Sequence, residues 1–192
     1  MKNKLLLLLL FLGIISVCLP PVVKAQQTQI FLFTTDNEVK LNSEFLVNVN
    51  IRSDQNTLGT DLVISYDAQA LSLVEVIPGV VYQDFSKTDN SMGKSEQNGL
   101  IYLSGIADFN RGVIPVGNIA ALKFIPFKTG STEIEVLFDS SDSTLTGVIP
   151  FEGNEANLLA QAPQLLLIDV LPDKWWLKIW SLITGLFKKK IR

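Results

Sequence analysis

From Gln26 to Pro172 the apolar residues recur at every second position in short runs, and no stretch repeats them at the 3.6-residue period of a helix. Phe45, Val47, Val49 and Ile51 share one face of such a run, with Asn48, Asn50 and Arg52 on the other. Further runs span 29–33, 61–66, 71–76, 100–106, 119–127, 132–138 and 164–170, and 144–150 is a candidate ninth. In 61–66 the alternation is less clean, as in a strand partly buried on both faces. Turn formers punctuate the runs: Ser53-Asp-Gln-Asn56, Tyr66-Asp67, Pro78-Gly79, Asn98-Gly99 and Thr129-Gly130. Short strands at fairly regular spacing, without intervening helices, predict an all-β fold, an antiparallel nine-stranded jelly-roll β-sandwich. The polar stretch 83–98 reads as an exposed connection.

The residues that are missing narrow the chemistry. The 192 residues include no histidine, and the one cysteine, Cys18, lies close to the N-terminus. Cys/His zinc sites, Ser-His and Cys-His catalytic pairs and a disulfide framework are thereby excluded. Ser65 and Ser104 have no base partner in sequence, and no glycine-rich phosphate loop precedes a helix. Asp139-Ser-Ser-Asp142 and the acidic positions from Asp84 to Asp89 lack the spacing and glycine of a calcium loop. Glu133 and Glu135 lie about 7 Å apart on one strand face, near glycosidase carboxylate separations, but read more simply as a solvated face opposite Ile134 and Val136. The expectation is a non-enzyme with no cofactor and no metal site. Residues 26–172 hold seven basic against eighteen acidic residues, a net charge of −11. Such a body repels nucleic acid, whose binding is dominated by cation–phosphate contacts.

The two ends differ from the body. Lys2 and Lys4 precede an apolar run from Leu5 to Leu19, Pro20-Pro21 breaks it, and Val23-Lys24-Ala25 offers small residues for cleavage before Gln26. Residues 1–25 are expected to be a secretion signal, and the run is short for a membrane span. At the other end, 173–192 carry all three tryptophans, Trp175, Trp176 and Trp180, and end on Lys188, Lys189, Lys190 and Arg192. The 13 residues from Trp175 to Phe187 would make a helix of about 20 Å, too short to cross a bilayer. Lys174, Lys178, Ser181, Gly185 and Lys188 form one polar stripe, opposite Trp176, Ile179, Trp180, Ile183 and Phe187. This predicts an amphipathic helix lying on a membrane surface. Leu171-Pro172, the apolar stretch and the basic end also resemble a sortase-type sorting signal, but Asp173-Lys174 stands where that motif has Thr-Gly, so covalent attachment is not expected.

Leu58-Gly-Thr-Asp-Leu-Val-Ile-Ser-Tyr-Asp67, the following Leu71-Ser-Leu-Val-Glu-Val-Ile-Pro-Gly79, Gly99-Leu-Ile-Tyr-Leu-Ser-Gly-Ile-Ala-Asp108 and Gly117-Asn-Ile-Ala-Ala-Leu-Lys-Phe124 resemble, in order and spacing, successive strands of cohesin domains. The resemblance covers roughly 29–170. It implies a nine-stranded jelly roll that binds dockerins, small calcium-loaded helical modules of secreted enzymes, through one sandwich face. By matched position Asp61 is a contact aspartate on that face. Gly59 stands in place of a contact asparagine, and Ala107, beside Asp108, in place of a glutamate. The resemblance implies a docking module whose partner-binding residues are Gly59, Asp61, Ser65 and Asp108; with the two ends as read above, the module is expected to be secreted and held at the envelope by its tail. Polysaccharide is the alternative ligand, with Tyr66, Tyr82 and Tyr102 as a sugar platform, and a ligand-free adhesion or stalk module is a third reading.

Overall fold

A computed structural model describes residues 28–88, 99–153 and 157–173. The expected secretion signal, the tail residues expected to associate with a membrane (Trp175, Trp176, Trp180, Phe187, Lys188, Lys189 and Lys190) and the expected tail helix lie outside these residues. Eleven strands follow in order: β1 Gln29–Phe33, β2 Glu38–Lys40, β3 Phe45–Arg52, β4 Thr57–Tyr66, β5 Leu71–Pro78, β6 Asp84–Thr88, β7 Leu100–Ile106, β8 Val116–Pro126, β9 Gly130–Val136, β10 Gly147–Pro150 and β11 Leu166–Leu171. They form a sandwich of two sheets. The smaller has the order β1-β3-β8-β5, and the larger β2-β11-β9-β4-β7-β6, with β10 also paired to β4.

The count exceeds the nine expected from sequence because two edge strands are written in polar residues. β2 is three residues long and pairs only with β11, in parallel, so the sheets are not wholly antiparallel. β6 lies within the stretch read as a connection and pairs along β7. Neither has the apolar alternation of a strand covered on one face, so the signal that found the others is absent.

Each inner face is the apolar set of an alternating strand. Val47, Val49 and Ile51 of β3 face Ile64 and Leu62 of β4, Ile101 and Leu103 of β7, Ile134 of β9 and Ile168 of β11 in one core. At one end of that core the Phe124 ring meets Tyr66 edge-on at 5.2 Å and stacks on Phe45 at 5.8 Å. Tyr66 thus closes the core as its strand ends, and the Asp67 carboxylate accepts the Gln69 N–H at 2.8 Å to turn the chain.

The central strand β4 is buried on both faces over part of its length. Val63 points away from the main core yet is 3% exposed. Here β4 changes partner: β9 pairs with Ile64 to Tyr66, and β10 takes over from Asp61 towards Thr57. At the change the Val63 N–H donates to the Thr146 hydroxyl at 3.0 Å, and the Leu137 N–H donates to the Val63 carbonyl at 2.8 Å.

The register fixes two poles. At the first, Ser53 and Thr57 bond to Pro115 and Val113, and Ala107 to Leu58. At the second, Leu41 bonds to Leu171, Asn42 to Pro126, Phe127 to Ala70 and Tyr66 to Gly99. The ten residues of β4 separate the poles by about 30 Å.

Candidate functional site

The outer face of the larger sheet presents β9, β4, β7 and β6 side by side. Asp61 points outward from β4, exposed, between Gly147 of β10 and Ser104 of β7. It has no ion-pair partner among the described residues; the ion pairs recorded there join Lys123 to Glu75 at 2.7 Å and to Glu44 at 4.0 Å. On β9, β4, β7 and β10 the charged residues are Asp61, Glu133 and Glu135, all acidic.

One row nearer the first pole, Ile149 of β10, Gly59 of β4 and Ile106 of β7 lie in register. Gly59 has no side chain to fill the gap, and none would fit: a Cβ there would stand 2.7 Å from the Gly105 carbonyl oxygen. The result is a depression of ≈ 170 Å³. Its floor is Gly59 and Gly105, its walls are Leu58, Ile106, Phe109 and Ile149, and Asp61 and Ser104 stand at its rim.

The floor is held from beneath. The Tyr82 ring packs under Gly105, so closely that a side chain at that glycine would run into it. The Tyr82 hydroxyl is hydrogen-bonded to Thr60 and lies 3.5 Å from the Thr57 hydroxyl. Burial pushes the Tyr82 phenol up from its ordinary value. The threonine hydrogen bonds pull the other way, and the Asp61 charge adds a smaller upward push.

Of the four residues expected in the partner site, Gly59 and Asp61 meet in the depression. Asp108 flanks it but spends its carboxylate on the Asn110 N–H at 2.8 Å, while its carbonyl accepts from Arg111 at 3.1 Å and Gly112 at 2.8 Å. Asp108 thereby shapes the turn that carries Phe109. Ser65 lies one strand-length away, near the second pole, half-buried between Leu100 and Glu135. Phe109, Ile149 and Ile106 were not singled out from sequence, and Ser104 was weighed there only as a catalytic serine without a base. Phe109, an aromatic within the polar turn Asp108-Phe-Asn-Arg-Gly112, is the one that carried a readable signal. Glu133 and Glu135 are exposed, as a solvated face requires. Tyr66 and Tyr82 are buried, so they offer no ring to a sugar and serve the core instead. The described residues contain no cluster of three potential metal ligands and no helix long and apolar enough to cross a membrane.

The sequence matches the cohesin domain profile over residues 30–148. The chain belongs to the cohesin family. Cohesins are non-catalytic scaffolding modules, typically extracellular or at the cell surface, and this domain is one of them. Its fold is similar to a type II cohesin domain from the cellulosome of Acetivibrio cellulolyticus, with TM-score 0.61 and 14% identity over 74% of this chain and 95% of that one. It is also similar to a non-cellulosomal cohesin from the archaeon Archaeoglobus fulgidus, with TM-score 0.55, 19% identity, and 76% and 91% of the two chains covered. A third similar structure is the sixth cohesin of scaffoldin B from Acetivibrio cellulolyticus, in complex with a Cel5 dockerin mutant; its TM-score is 0.57, at 15% identity over 75% and 99% of the chains. Among curated protein sequences nothing matches.

Proposed function

We propose that this cohesin domain docks a dockerin-type protein module through the outer face of its larger sheet, with Asp61 as the central polar contact. One observation carries the reading: Asp61 is exposed in the middle of that face, without an ion-pair partner among the described residues and beside an apolar depression. A carboxylate in that setting gains most from a partner's Lys, Arg or hydroxyl group when the surrounding apolar contact excludes water. The acidic face also steers a basic partner towards it at low salt. The role is non-catalytic assembly outside the cell, in polysaccharide degradation or surface organisation. The leader of residues 1–25 would direct the chain there, and the tail of residues 173–192 would hold it at the envelope.

The test is titration of calcium-loaded dockerin modules against the protein. Asp61→Ala should cost about 2 kcal/mol in binding. Glu133→Gln and Glu135→Gln should leave it nearly unchanged, and insoluble polysaccharide alone should not retain the protein. Equal binding by wild type and Asp61→Ala, with loss in the glutamate variants, would sink the reading.

A further inference from the structure

Gly59 creates a position on the docking face that is missing a side chain. On β10 and β7 the residues in register with it are Ile149 and Ile106, so two isoleucines flank bare backbone across about 10 Å, twice the strand spacing. Phe109 closes the same space from the first pole and is 69% exposed, a large apolar cost for a side chain with no core to reach. The floor does not yield, because Gly59 rests against the Gly105 carbonyl and Gly105 against the Tyr82 ring. The volume of ≈ 170 Å³ suits one large side chain, since a cavity of about 150 Å³ takes a benzene-sized group.

Charge completes the description of the occupant. Asp61 lies two residues along β4 from Gly59, about 7 Å, at the rim. β4 and the strands paired directly to it, β7, β9 and β10, carry acidic charge only. From this we infer that the depression receives a single aliphatic or aromatic anchor of a protein partner, placed beside a Lys or Arg that reaches Asp61. On a partner helix those two residues stand three or four positions apart, the spacing that puts side chains about 5–6 Å from each other. The inference rests on the docking reading above and names its partner's chemistry. No side chain fits at position 59, so the space stays open to a partner; an apolar anchor is then the selective element and the carboxylate its orienting contact.

A displayed library of random 16-residue peptides, selected on the full-length protein, tests this. The expected result is enrichment of sequences with Leu, Ile, Met or Phe three or four positions from Lys or Arg. Their binding should fall about tenfold or more in each of Phe109→Ala, Ile149→Ser and Asp61→Ala. Phe109 and Ile149 are exposed, so both variants should keep the core, which circular dichroism checks. Enriched peptides that lack the pair overturn the anchor, as does binding that survives Phe109→Ala and Ile149→Ser but weakens in Asp61→Ala; that second outcome leaves docking on this face standing. Binders indifferent to all three substitutions overturn the docking face as well. A selection that enriches nothing overturns the anchor, while the dockerin titration then decides the face by itself.

Discussion

Gly59 and Tyr82 show how single positions set the site. The Cβ of an alanine at position 59 would stand 2.7 Å from the Gly105 carbonyl oxygen, a backbone atom that cannot swing aside. Gly59→Ala should therefore destabilise by about 1–3 kcal/mol, the usual cost of overpacking, as read from the urea midpoint. Tyr82 is held in its protonated form by burial, so the folded protein keeps a proton that the unfolded chain gives up near pH 10. That contribution is whole below pH 10 and is lost as pH rises through the higher folded value. Tyr82→Phe leaves the buried Thr60 hydroxyl without its partner and should cost about 1–3 kcal/mol at pH 8. The gap between wild type and variant should narrow at pH 11, where only the wild type has a Tyr82 to ionise. Urea titrations at the two pH values check this, and an equal gap at both would show that the phenol's ionisation does not differ between folded and unfolded states.

At the scale of the element, β4 carries both the fold and the site. It pairs with β7 from Gly59 to Ser65, while its other edge is shared between β9 and β10. The hand-over leaves the Val63 N–H without a strand partner, and the buried Thr146 hydroxyl supplies one at 3.0 Å. Thr146→Val keeps the shape and removes the acceptor. It should cost about 1–3 kcal/mol, with the urea slope unchanged because the surface exposed on unfolding is the same. An unaltered midpoint would mean that another group accepts the Val63 proton. β10 also shapes the depression: pairing to β4 is what sets Ile149 beside Gly59.

At the scale of the molecule the sandwich has a direction. The depression lies towards the first pole, and the described chain leaves β11 at Leu171, at the second pole, and ends at Asp173. A tail that bound a membrane from that end would leave the pole with the depression facing outward. Removal of residues 174–192 should release a folded, strongly acidic domain from vesicles of anionic lipid, with each basic residue near the surface contributing about 1 kcal/mol to the lost affinity. Binding of the full chain should weaken as salt rises. Retention that ignores salt would argue against electrostatic attachment, and unfolding of the shortened chain would show the tail to be part of the domain.

Period-two alternation was enough to identify an all-β sandwich, and the bounds of β1, β3 and β7 could be read from it residue for residue, because each covers one face with apolar side chains. The order of the strand motifs sufficed for the cohesin resemblance, and the expectation placed on Asp61 follows from that resemblance. Short polar strands such as β2 and β6 carry no such pattern; they are strands only because a neighbour's edge accepts their backbone hydrogen bonds. The depression was illegible for the same reason. Leu58, Gly59, Ile106, Phe109 and Ile149 come from separate stretches of chain, and only the cross-strand register makes them neighbours. Sequence determines which side of each strand is apolar; it is pairing, a tertiary fact, that decides which outward residues share a surface, and therefore where a partner can bind.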